Sequence, residues 1–62
     1  MKDIAINDWV ELAPHYDLWM RGAKYGTVRR IKDGIAFIRM DNIRVRKLAR
    51  IPVQDLTFRA AR

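Results

Sequence analysis

The sequence predicts an all-β fold, a small barrel of five short strands with one short helical turn before the last. Three observations predict it. The apolar runs are short and alternate with polar residues, as half-buried strands do. Turn-forming residues punctuate them densely at Pro14, Gly22, Asp33-Gly34, Asp41-Asn42 and Pro52. The chain has 62 residues, half of them apolar, which suffices for one domain over residues 1–62 with a small core.

Ala5 to Ala13 reads as the first strand, with Val10 and Leu12 on one face and Trp9 and Glu11 on the other. Pro14 ends it, because proline cannot donate to a ladder. His15 to Lys24 reads as a loop rich in large residues, and its Leu18 and Trp19 are expected to cap one end of the barrel. Tyr25 to Ile31 forms the second strand and Ile35 to Met40 the third, joined by the two-residue hairpin turn Asp33-Gly34. Asp41-Asn42 is expected to make a second tight turn, because both residue types tolerate a left-handed backbone. Ile43 to Ile51 is expected as the fourth strand, since Ile43, Val45, Ala49 and Ile51 alternate, which disfavours a helix there. Pro52 to Leu56 reads as one helical turn with Pro52 at its start, and Thr57 to Arg59 as the last strand.

These hairpins assign faces. Val28 and Ile31 share a face only if the second strand carries a bulge near Arg29-Arg30. The inner face then holds Gly26, Val28, Ile31, Ala36, Ile38 and Met40, joined by Ile43 and Val45. The outer face holds Lys32, Ile35, Phe37, Arg39, Arg44, Arg46 and Leu48, with Arg29 or Arg30 beside them. The tight turn at Asp41-Asn42 places Arg39 directly opposite Arg44 and Phe37 opposite Arg46. Like charges so opposed destabilise a sheet unless an anion lies across them.

The formal net charge is +6 and it is unevenly placed. Residues 1–18 carry a net −3, residues 19–43 a net +4 and residues 44–62 a net +5. Nine of the thirteen basic residues are arginine, the side chain best suited to bidentate phosphate contacts and stacking. Such a balance points to a polyanionic partner.

Several functions are disfavoured by what the chain lacks. It has no cysteine and a single histidine, His15, so disulfides, thiolate sites and multi-histidine metal sites within one chain are excluded, and no cofactor is expected. It has no serine, and Thr27 and Thr57 are expected within strands. His15, Tyr16 and Asp17 are neighbours in sequence, but catalysis needs oriented contacts in a pocket. The chain therefore reads as a binding protein and not an enzyme. No run of about 18 apolar residues spans a membrane, and residues 1–8 lack the apolar stretch of a signal peptide. A cytoplasmic location is expected.

Three segments carry a family resemblance. Asn7-Asp8-Trp9-Val10-Glu11-Leu12 resembles the opening strand of SH3-like barrels. Tyr25-Gly26-Thr27-Val28-Arg29-Arg30-Ile31 looks like the Gly-x-Val-x-x-Ile core of KOW domains of ribosomal and transcription-elongation proteins. Ile51-Pro52-Val53-Gln54-Asp55-Leu56 resembles the helical turn before the last strand of such barrels. The resemblance implies an SH3-like barrel and nucleic-acid binding. The chain departs from it in the first loop, where Leu18-Trp19-Met20-Arg21-Gly22 stands in place of a glycine-bearing segment. The tail is also similar to type II dihydrofolate reductases, but Leu48-Ala49-Arg50-Ile51 replaces their Val-Gln-Ile-Tyr pore motif, so that activity is not carried over.

The leading expectation is a nucleic-acid-binding module of low sequence specificity, taking DNA or RNA. Arg30, Lys32, Arg39, Arg44, Arg46 and Arg50 would contact phosphates and Phe37 would stack on a base. The alternative is a protein-interaction or self-assembling module using Ile35, Phe37 and Leu48, or the Trp9 and Trp19 region. A site formed between subunits also stays open, because symmetry can assemble residues that one chain lacks.

Overall fold

The computed structural model describes residues 3–61. Lys2 and Arg62, counted in the charge balance above, lie outside the described residues. Five strands form a single antiparallel sheet, β1 (Asp8–Leu12), β2 (Tyr25–Lys32), β3 (Ile35–Met40), β4 (Ala49–Pro52) and β5 (Leu56–Ala61). They lie in the order β4-β3-β2-β1-β5. A 3-10 turn at Val53–Asp55 leads from β4 into β5, with Pro52 as its N-cap, as the proline pattern predicts.

The inward face alternates along each strand. Val10, Leu12, Val28, Ala36, Ile38, Met40, Ala49 and Ile51 form the buried core, with Ile31, Val53 and Leu56 packed against it. Gly26 makes this close packing possible. A Cβ at that position would come within 2.5 Å of Ile38 Cγ2 and 2.7 Å of the Arg39 carbonyl oxygen.

The Asp33-Gly34 hairpin forms as expected, with φ of 53° and 76° at its two residues. Both values are left-handed, as a type I′ turn requires. The expected bulge is also present, because the β2–β3 register shifts between Val28 and Arg30. It lets Val28 and Ile31 both face the core.

The first strand is shorter than the expected Ala5–Ala13. Residues 5–8 fold instead into a turn in which the Asp8 amide donates to the Ala5 carbonyl (3.1 Å) and the Ala5 amide donates to Asp8 Oδ2 (2.9 Å). Asn7 takes φ 77°, which asparagine tolerates better than most residues. The last strand is longer than expected and runs to Ala61.

The first loop contains a short helix, α1 (Asp17–Met20). Tyr16, Leu18 and Trp19 pack against the core, so this segment caps the sheet as expected. The Tyr16 hydroxyl donates to Asp55 Oδ2 at 2.5 Å, tying the loop to the 3-10 turn. That bond, followed by desolvation and the nearby carboxylate charge, holds the phenol above its ordinary value of 10.0.

The largest departure is the fourth strand, which begins at Ala49 and not at Ile43. Asn42 is the physical cause. Its Oδ1 accepts the Arg44 amide (2.9 Å) and its carbonyl accepts the Val45 amide (3.0 Å), so backbone donors that a ladder would use are satisfied locally. The Asp41 amide meanwhile donates to the Tyr25 carbonyl at 3.0 Å, holding the chain beside β2. Arg39 therefore lies beyond the last β3–β4 pair, Ile38–Ala49, and does not face Arg44, while Phe37 pairs with Arg50 and not with Arg46. Ile43, expected inside, is 91% exposed, while Val45 does pack against the core.

Candidate nucleic-acid interface

The outward face of β2, β3 and β4 is built by the same alternation that fills the core. Its central row is Arg30–Phe37–Arg50, one residue from each strand. Directly opposed side chains of an antiparallel pair sit about 5 Å apart at Cβ, so the Arg30 and Arg50 side chains leave the sheet on either side of Phe37. The Arg30 guanidinium carbon lies 5.6 Å from the Phe37 ring centroid, within cation–π range. The next row toward the hairpin is Lys32–Ile35–Pro52. On the other side lies Arg39, paired with Thr27, which is in turn paired with Trp9.

Five of the seven residues expected to bind thus share one face, namely Arg30, Lys32, Phe37, Arg39 and Arg50. Arg44 and Arg46 do not belong to it, because they lie in the loop between β3 and β4. Arg46 nonetheless approaches it. That loop folds over the end of the face and leaves a groove of about 660 Å³, whose lining includes Thr27, Arg29, Arg39, Asn42, Ile43 and Arg46. Arg44 is exposed and its amide serves the Asn42 turn.

Two features of this face lie outside the expected set of binding residues. Arg29, the extra residue of the bulge, is exposed and lines the groove. The bulge itself was legible, but which arginine it would deliver was not. Trp9 and Tyr25 are the second feature, with ring centroids 5.0 Å apart and planes 27° from parallel. The register places both on the outward side with Thr27 and Arg39. The alternation in β1 already puts Trp9 opposite the core, and the missing information was its pairing partner. Trp9 Nε1 donates to Asp41 Oδ2 at 2.8 Å, which fixes the indole beside the groove.

The Asp41 carboxylate also lines the groove, where its Oδ2 accepts from Trp9 Nε1. Among the described residues, Arg29, Arg30, Arg39, Arg46 and Arg50 form no ion pair with a carboxylate. The pair Glu11–Arg59, at 3.8 Å, joins β1 to β5 away from this cluster.

Among the described residues no group of three or more histidine, aspartate or glutamate side chains is arranged to hold a metal ion. No helix there is long and apolar enough to cross a membrane. Comparison of the chain with protein families, with curated proteins and with solved structures found no match.

Proposed function

We propose that this protein is a nucleic-acid-binding module of low sequence specificity that uses the outward face of β2, β3 and β4. The observation that carries the reading is the Arg30–Phe37–Arg50 row, with Lys32 and Arg39 on the same face. Guanidinium groups contact phosphates and supply salt-dependent affinity. An aromatic ring among them offers a stacking surface that accepts any base. The backbone-directed character of such contacts gives position on the ligand without reading its sequence. The resemblance of Tyr25–Ile31 to KOW domains and of Asn7–Leu12 to SH3-like barrels supports the same reading.

The test is a titration of labelled DNA and RNA, single- and double-stranded, at two salt concentrations. Affinity that falls steeply with salt is expected. Replacing Arg30, Arg39 and Arg50 together by alanine should weaken it by about tenfold or more at low salt, with the fold retained by circular dichroism. A protein that binds none of these ligands and instead self-associates, as light scattering across concentration would reveal, overturns the reading in favour of an assembly module.

A further inference from the structure

The outward face and the loop groove carry a narrower conclusion that rests on the nucleic-acid reading. Three rings, Trp9, Tyr25 and Phe37, lie on the same side of the sheet as Arg30, Arg39 and Arg50. All three rings are only partly buried. In a duplex each base face is covered by its neighbours, so a ring on a sheet surface stacks only on a base that is unpaired.

The groove adds a second, independent observation. Arg29, Arg39 and Arg46 reach it from three different segments, the bulge, β3 and the β3–β4 loop. Ile43 lies at the same groove with 91% of its surface exposed. Cations beside a bare aliphatic side chain suit a ligand whose charged backbone and apolar sugar or base faces are both accessible. An unpaired strand has that character.

We propose that the ligand is single-stranded nucleic acid. It crosses the outward face with a base stacked on Phe37, passes Arg39, and enters the groove, where Arg29 and Arg46 hold its phosphates. The Trp9–Tyr25 pair, fixed beside the groove by the Trp9–Asp41 hydrogen bond, provides the second stacking surface.

The experiment measures fluorescence anisotropy with a labelled strand of about 12 nucleotides, a length suited to a small binding fold. DNA and RNA versions of the strand and the matching duplex are compared. Binding of the single strands roughly tenfold or more tighter than the duplex is expected. Phe37→Leu, which keeps an apolar side chain but not the ring, should cost the single strands about tenfold and leave the duplex unchanged. Arg29→Ala and Arg46→Ala, both at exposed positions, should each lower the salt slope for the single strand by about 0.7. Duplex bound as tightly as single strand, with Phe37→Leu silent, overturns this inference while leaving the basic-face reading standing. Salt slopes unmoved by both arginine substitutions overturn the groove's part in it. Absence of binding to every ligand overturns both the inference and the reading beneath it.

Discussion

Two neighbouring segments of this chain begin alike and have opposite fates. Ile35–Met40 and residues 43–48 each start with isoleucine after a turn-forming pair, the first apolar at five of its six positions and the second alternating over Ile43-Arg44-Val45-Arg46. The first is the central strand β3, with Ala36, Ile38 and Met40 buried. The second is a loop with Ile43 and Leu48 exposed. The difference lies in the turns that precede them. Asp33-Gly34 adopts the left-handed geometry whose twist matches the flanking strands. Asn42 binds the chain to itself through the amides of residues 44 and 45, which diverts it from the ladder. An apolar or alternating pattern thus states that a segment is able to form a strand. The turn before it decides whether it meets a partner.

The comparison is sharpened by substitutions graded in effect. Ile38→Ala removes a fully buried side chain of β3 and should cost about 3 kcal/mol in urea denaturation. For a domain this small that is a large share of the total stability. Gly26→Ala attacks the same packing from β2, since its new methyl group would press on Ile38 and on the Arg39 carbonyl. A loss of about 2 kcal/mol is expected by the same measurement. Gly34→Ala meets no neighbour within 4 Å but must hold φ 76°. It should cost about 1 kcal/mol, all of it conformational. Ile43→Ser, in the loop, should change stability by less than about 0.5 kcal/mol. A thermal melt showing Ile43→Ser as damaging as Ile38→Ala would abolish the distinction drawn between the two segments.

Much of the fold was legible because its signals are local. The Asp33-Gly34 hairpin, the bulge beside Arg29-Arg30 and the turn after Pro52 each follow from a few adjacent residues. The binding face was legible in part for the same reason, since Arg30, Lys32, Phe37 and Arg39 flank one well-marked hairpin. The placement of Arg44 and Arg46 was not, because Asn42 can serve either a tight hairpin or a side-chain-capped loop. The two outcomes differ in where Arg50 falls. It pairs with Phe37 only because β4 starts late. Nor could the meeting of Trp9 with Thr27 be read locally, because that pair spans 18 residues of chain, against 12 for the Thr27–Arg39 pair of the hairpin.

The bulge in β2 has a consequence for how much charge a sheet can display. A regular strand spends every second side chain on the interior, which caps the density of cations along one edge of the surface. The register shift between Val28 and Arg30 suspends that alternation for a single step, and Arg29 and Arg30 both emerge into solvent. One of them lies by the phenyl ring of Phe37 and the other in the groove under the long loop. A single additional residue thus serves two places at once, and shortening the strand by that residue would force either a guanidinium inward or Ile31 outward.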